Sequence, residues 1–501
     1  MTDLSRIAAH DAPADRLALL FEGLEGERAT FTYAELDATV DALAAALAAV
    51  MGARSLAPGS RIALLAGNRP EHFIAYLAAM RAGYVAVPLN HKLGDEALAH
   101  ALALSGAELV FVDDACAQRV GGSVATLGFD DPGPDGYRAA LKRHRGDGVA
   151  VPIDAAQDAV IMFTSGSTGL PKGVPLTHGG YGWAMRQFAG LRETLAGRAA
   201  LIAAPLFHMN AQFHVQATLQ AAGTAVLMAR FDARRFLDLI GEHEVARVTG
   251  VPTMLALAVA ELEVGYRARL DSVSAVAMGS APFSASLLER VQRWFPAAVV
   301  SNGYGTTEAG PGVFGLHPDG RPTPPLSLGY PLEEAQVKLV GPEAPERGVL
   351  WVRNPMLTRG YLDDAAQTAK SFRDGWYVTN DVMSCDEDGF YFFDGRADDM
   401  FVCAGENIFP AEVERLLLRH SAVREAAVVP VPDEVKGALP VAFVVASSAV
   451  DEAGLRQFAL DHGPAYAHPR AVYFTDALPL AGTKKVDRRA LQAEALRSFR
   501  R

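Results

Sequence analysis

Apolar residues along this chain follow two alternating spacings. Stretches with helical periodicity, Tyr33 to Met51 and Pro70 to Ala82, are interleaved with short continuous apolar runs at Arg61 to Ala66, Val85 to Leu89 and Leu109 to Val112. Short buried runs separated by helices predict strands joined by crossovers, and so a layered α/β fold with substantial parallel sheet. A further run, Ala159 to Phe163, leads into a loop of small and hydroxyl residues, and a helix-like stretch follows Thr177-His178. The segment Leu127 to Pro152, rich in Gly, Asp and Pro, predicts a surface connection.

The pattern restarts after Phe390 to Arg396. Past Asp398-Asp399, Glu412 to Arg419 reads as a helix, Ala426 to Pro430 and Val441 to Ala446 as strands, and Asp451 to His462 as a helix. This compact set can form a small separate α+β domain. The predicted division is therefore a large layered α/β domain over residues 1–396 and a small mobile one over 397–501.

Composition narrows the function classes. With 501 residues, 50% of them hydrophobic, the chain can bury a large core in more than one domain. A formal net charge of −12 argues against nucleic acid and anionic membrane surfaces as partners. Met1 to His10 contains Asp3 and no extended apolar segment, so no secretory signal is predicted. No uninterrupted apolar stretch reaches the roughly 18 residues of a membrane span, so a cytoplasmic protein without integral membrane association is expected. Cys116, Cys385 and Cys403 are far apart and odd in number, which suggests neither a disulfide framework nor a zinc site.

The chemistry concentrates in Thr164-Ser165-Gly166-Ser167-Thr168-Gly169-Leu170-Pro171-Lys172-Gly173. Glycines let backbone N–H groups approach an anion, hydroxyls donate hydrogen bonds, and Lys172 supplies positive charge for phosphate oxygens. The Walker pattern is absent, because here the lysine follows proline and precedes glycine. A loop holding a nucleotide triphosphate is favoured over a linker of small residues.

This loop resembles the signature of the adenylate-forming superfamily, which includes acyl-CoA synthetases, peptide-synthetase adenylation domains and firefly-type luciferases. Four further segments follow in the family's order. Asn302-Gly303-Tyr304-Gly305-Thr306-Thr307-Glu308 is similar to its Tyr-Gly-x-Thr-Glu motif and Tyr377-Val378-Thr379-Asn380-Asp381 to Tyr-x-Thr-Gly-Asp. Gly395-Arg396-Ala397-Asp398-Asp399 resembles Gly-Arg-x-Asp-Asp, and Lys484-Lys485-Val486-Asp487-Arg488 the terminal lysine motif. Asn380 stands where the family usually has glycine; asparagine tolerates left-handed backbone better than most residues.

The resemblance implies two half-reactions: a carboxylate attacks the α-phosphate of ATP to give an acyl-adenylate, then a thiol displaces AMP. It implies that Thr164, Ser165, Gly166, Ser167, Thr168, Gly169 and Lys172 hold the β- and γ-phosphates. Thr307 would reach the α-phosphate and Glu308 would ligate Mg2+. Asn302, Gly303, Tyr304 and Gly305 would lie along the nucleotide, with Tyr304 stacking on adenine. Asp381 and Arg396 would serve the ribose. Lys485 is the implied catalytic lysine, and Asp398 the position about which the small domain turns. Gly405, in the loop Cys403 to Asn407, would then face coenzyme A. An exposed glutamate at 308, a structural salt bridge at Asp381 or Arg396 and a solvated basic pair at Lys484-Lys485 are the bland alternatives.

The acyl pocket is expected from Pro205 to Asn210, from Ala277 to Ala281 and from the glycine-rich stretch after Glu308, while Ser280, Ala281 and Pro282 are also expected to bind the nucleotide cofactor. His208 aligns with a family histidine that contacts or gates substrate, with a core histidine as the alternative. These segments contain no Arg or Lys, which favours an aliphatic or aromatic monocarboxylic acid over a dicarboxylate. No carrier-protein motif follows the small domain, so diffusible coenzyme A is the expected acceptor. A stand-alone adenylation enzyme loading a separate carrier protein, or a nucleotide- or acyl-binding regulator without turnover, are the competing readings. A homodimer is compatible with the sequence.

Overall fold

The computed structural model describes residues 4–6, 12–122, 124–149, 151–165, 170–403, 406–433, 436–464, 467–481 and 485–499. Two large sheets organise the N-terminal part. One has the order Ala125–Gly128, Leu109–Val112, Arg61–Leu65, Val85–Pro88, Asp158–Ser165 and Pro171–Thr177, parallel except for its last strand. The other runs Val299–Gly303, Ala275–Gly279, Val245–Gly250, Ala199–Ile202, Thr224–Met228, Leu17–Glu22 and Arg28–Thr32, again with only the last strand antiparallel. The predicted parallel α/β layering is what the chain forms.

Helices Tyr33–Ala53, Pro70–Arg81 and Met209–Gln220 contribute to one core shared with both sheets, through side chains such as Leu43, Phe73, Ile74 and Phe213. Tyr33–Ala53 is long and apolar enough to cross a membrane by length and composition. It is instead a core helix: Leu36, Val40, Leu43 and Leu47 are buried, and its Asp37 and Asp41 bind the guanidinium of buried Arg81 at 2.7 and 2.8 Å. A capping box between Thr32 and Glu35 starts it.

The connection expected over Leu127 to Pro152 is more ordered than its composition suggests. It contains helix Tyr137–Arg143, with Tyr137 and Ala140 buried and the Tyr137 ring packed edge-on to Phe129 at 5.5 Å. Two helical turns offer too few apolar positions for periodicity to reveal them.

A mostly antiparallel region follows, with Gln336–Val340, Arg347–Arg353, Trp376–Cys385, Phe372–Arg373 and Tyr391–Arg396 in one sheet. The C-terminal sheet comprises Glu406–Ile408, Phe401–Cys403, Gly437–Ala446 and Val423–Asp433, with Ala471–Phe474 parallel to Gly437–Ala446. Helices Pro410–Leu417, Glu452–His462 and Arg488–Ser498 cover it, around its own apolar clusters. The fold is a large α/β domain followed by a small α+β domain.

Candidate active site

The loop singled out in the sequence joins two antiparallel strands rather than a strand and a helix. Thr164 pairs with Lys172 and Ser165 with Pro171 across the hairpin formed by Asp158–Ser165 and Pro171–Thr177. Lys172 therefore emerges from a strand directly opposite Thr164. Helix His178–Gln187 begins only after that strand, capped by Thr177, whose hydroxyl accepts from the Gly180 N–H at 3.1 Å. Gly166, Ser167, Thr168 and Gly169 lie outside the described residues, as do Gly405 and Lys484, and nothing is described of the Ser165 side chain.

The hairpin is tied to the glutamate motif by residues the motifs do not mark. Thr358 donates its hydroxyl to Pro175 O at 2.7 Å and its N–H to Glu308 O at 2.9 Å. Tyr361 donates its hydroxyl to Glu308 Oε1 at 2.8 Å, while Lys172 Nζ lies 4.5 Å from the Tyr361 ring centroid. Glu308 is buried, with one carboxylate oxygen engaged by Tyr361. A hard cation that takes one carboxylate together with phosphate oxygens and water fits this donor set. Thr307 is half-buried in the same turn, which Thr306 closes by accepting from the Ala309 N–H at 3.0 Å.

Asn302 and Gly303 end the strand Val299–Gly303, and Ser280, Ala281 and Pro282 leave the carboxyl end of the adjacent strand Ala275–Gly279. Ligands of open parallel sheets bind beyond such carboxyl ends. Close backbone approach explains the glycine at 305, where a Cβ would sit 2.4 Å from Gly310 O. Asn302 Nδ2 donates to Leu326 O at 2.9 Å, and Ser280 has φ +66°.

Tyr304 donates its hydroxyl to Asp381 Oδ2 at 2.5 Å, and its ring packs 5.8 Å from Phe314. Arg396 holds the other Asp381 oxygen at 3.0 Å and forks onto Asp398 at 2.8 and 2.9 Å. Burial raises the Asp381 pKa, opposed by Arg396 and the Tyr304 hydrogen bond. Asn380 adopts φ +61°, the left-handed backbone that the usual glycine would supply.

His208 occupies the N-cap position of helix Met209–Gln220 without capping it, with its ring 4.5 Å from Phe207. Its Nε2 is buried with no hydrogen-bond partner among the described residues. Burial, then the nearby charges of Lys485 and Lys92, lower its pKa to about 4, so the ring is neutral at physiological pH. The loop before it is held by Asn68, which donates to Ala204 O and Met228 O at 3.0 and 2.9 Å and accepts from Leu206 N–H at 2.7 Å.

Lys485 reaches this site from the small domain. Its segment is pinned by Ala481 N–H donating to Lys485 O at 2.7 Å and Asp487 N–H to Pro479 O at 2.8 Å. Behind it Arg488 forks onto Glu414 of helix Pro410–Leu417 and donates to Val428 O of the sheet at 2.9 Å, fixing the start of helix Arg488–Ser498. Lys485 is exposed by surface area, so the desolvation that lowers its pKa comes from the cleft walls rather than from enclosure; Asp381 opposes that shift and Arg396 adds to it. It thus lies within electrostatic range of Asp381, Arg396 and His208 together. Arg347 links the two parts, pairing with Asp394 at 3.1 Å and with Glu412.

Tyr361, Thr358 and Asn68 were missed because each is an ordinary residue whose importance lies in contacts distant in sequence.

Residues 6–362 match the family described as AMP-binding enzyme, and residues 412–485 the AMP-binding enzyme C-terminal domain. A feruloyl-CoA synthase from an Amycolatopsis species is 36% identical over 476 residues, covering 93% of this chain and 94% of the relative. 4-Coumarate–CoA ligase 5 of Oryza sativa subsp. japonica is 32% identical, with 97% and 94% covered. The o-succinylbenzoate CoA synthetase of Bacillus subtilis, solved with ATP and a magnesium ion, superposes with a TM-score of 0.81 at 29% identity, covering 98% of this chain and 99% of that one. The chain therefore belongs to the AMP-binding enzyme family, among its AMP-forming acyl-CoA ligases.

Proposed function

We propose that this enzyme activates an aromatic monocarboxylic acid with ATP and transfers the acyl group to coenzyme A, in the cytoplasm. In the first half-reaction a carboxylate oxygen bonds to the α-phosphorus while the bond from that phosphorus to the bridging oxygen breaks, releasing pyrophosphate. In the second the thiol sulfur bonds to the acyl carbon, its proton is lost, and the carbon–oxygen bond to AMP breaks. The aromatic class is favoured by the similarity to feruloyl-CoA synthase and 4-coumarate–CoA ligase.

Within this reading Thr164, Lys172 and the hairpin turn bind the β- and γ-phosphates, and Thr307 orients the α-phosphate. Glu308 would hold Mg2+, which when bound neutralises phosphate charge. Asp381, already oriented by Tyr304 and Arg396, accepts from the ribose hydroxyls. His208 contacts the acid as a neutral ring. Lys485 bridges the attacking carboxylate and the α-phosphate, where preorganised positive charge lowers the barrier most. Turning about Asp398, at the 396/397 boundary, then exchanges Lys485 for the loop around Gly405.

The observation that carries the proposal is the convergence of Lys485 on Asp381, Arg396 and His208 from the other domain. The test is a carboxylic-acid panel assayed for acid-dependent ATP–pyrophosphate exchange and for AMP release with CoA. Exchange together with acyl-CoA formation supports it. Exchange with transfer only to a carrier protein, or ATP binding without exchange, would replace it with one of the competing readings.

A further inference from the structure

The strand Trp376–Cys385 serves two faces of its sheet. Tyr377, Thr379 and Asp381 are buried on one, where Asp381 meets Tyr304 and Arg396, while Trp376 and Val378 alternate onto the other. On that outward face Trp351 opposes Lys338 and Val378, Arg353 opposes Gln336, and Arg373 opposes Trp376. Cross-strand partners share a face. Lys338 Nζ lies 4.6 Å from the Trp351 ring centroid and 4.4 Å from that of Trp376, the Arg353 guanidinium 4.7 Å from Trp376 and the Arg373 guanidinium 5.9 Å from Trp351. Three exposed cations are thus stacked on two half-buried tryptophans.

Among the described residues no carboxylate pairs with these cations; Arg353 donates instead to Gln336 Oε1 at 3.0 Å. The contrast is Arg290, which forks onto Glu263 at 2.8 and 2.7 Å. In a chain whose net charge is −12, a face of uncompensated positive charge is the exception. Stacking on the rings fixes the cations before any anion arrives, so less side-chain entropy is lost on binding. Tryptophan and arginine are also the side chains that most often dominate the binding energy of protein interfaces. Val340, 39% exposed, extends the same face with apolar surface.

We propose that this face docks a short acidic segment of a partner protein, its carboxylates on Lys338, Arg353 and Arg373 and its chain lying across the tryptophans. The four strands from Gln336–Val340 to Phe372–Arg373 span about 15 Å at about 4.8 Å per strand, the reach of roughly four extended residues. At physiological ionic strength charges more than about 8 Å apart are largely screened, so a segment of that length meets the patch alone. A bilayer or a nucleic acid would instead spread its phosphates against the acidic remainder of the surface. Docking here does not depend on which acid the enzyme activates.

The probe is fluorescein-labelled hexaglutamate, followed by anisotropy with saturating ATP and Mg2+ so that the cations proposed for phosphate binding are already occupied. The native enzyme should bind it in about 50 mM NaCl and lose about tenfold in affinity by about 300 mM, as screening requires. Lys338→Gln, Arg353→Gln and Arg373→Gln combined should weaken binding by at least about tenfold, with acid-dependent ATP–pyrophosphate exchange nearly unchanged. Each single substitution should weaken it by a few-fold, which keeps the test decisive should the triple variant fold poorly. No binding at low salt, or recruitment to phosphatidylserine vesicles in place of the peptide, would overturn the proposal. So would a triple variant that melts earlier yet binds the peptide as the native enzyme does, since the cluster would then serve the sheet's stability alone.

Discussion

The hydroxyl of Tyr361 donates to Glu308 Oε1 at 2.8 Å, so the glutamate's orientation is set by a residue 53 positions away. The same ring lies beneath the Lys172 ammonium. The groups proposed for metal and phosphate binding are thus coupled through one tyrosine.

Tyr361→Phe should leave the fold intact but release Glu308. A hydrogen bond to a buried charged acceptor contributes about 1.5–3 kcal/mol, so the Mg2+ concentration giving half-maximal exchange should rise about tenfold. Titration of exchange against Mg2+ at saturating acid checks this; an unchanged midpoint would detach Tyr361 from the cation.

Asn68 positions the loop that carries His208. Asn68→Ala strands the carbonyls of Ala204 and Met228 and the Leu206 N–H in the interior, costing about 3 kcal/mol of stability. In the fraction that folds, KM for the acid should rise more than KM for ATP. Denaturant melts with separate saturation curves for the two substrates distinguish this from simple destabilisation.

Arg396 serves two carboxylates at once, Asp381 and Asp398. Because Arg396 is half-exposed, Arg396→Met should cost only about 1–2 kcal/mol of stability, well below a fully buried pair. KM for ATP should still rise about tenfold, since Asp381 loses the partner that orients it. Arg396→Lys should not rescue it, because a single ammonium cannot reproduce the fork.

The pH profile of adenylation should be set on its alkaline side by Lys485. Its pKa is lowered, chiefly by desolvation, so the cation is lost as pH rises through a value below the ordinary lysine range. Lys485→Arg, which stays charged, should move that limb upward in any residual activity. His208, with a pKa of about 4, should contribute no acid limb between pH 5 and 8. Rates measured across pH 5 to 10 check both expectations.

Periodicity sufficed for the parallel sheets, because short apolar runs between helices leave few other ways to bury them. The motifs nominated Glu308, Asp381 and Lys485; Lys485 lies within electrostatic range of Asp381, and Tyr377 within that of both Asp381 and Glu308. Asn380 shows how a departure can be reconciled locally: its left-handed backbone is one that asparagine can adopt. What stayed illegible depends on tertiary contact. The sequence marks the apolar run before the phosphate loop and the helix after Thr177-His178 but not the strand Pro171–Thr177 between them, which the pairing of Thr164 with Lys172 reveals. Arg247 reads as an ordinary strand residue until the register places Ala200 and Ala275 opposite it.

The most direct test is to separate the two half-reactions in Lys485→Ala. Acid-dependent ATP–pyrophosphate exchange should fall by at least about 100-fold, as expected when one preorganised charge is removed from a reacting oxygen. Thioester formation from supplied acyl-adenylate and CoA should stay within a few-fold of the native enzyme. Equal loss in both, or unimpaired exchange, would contradict it.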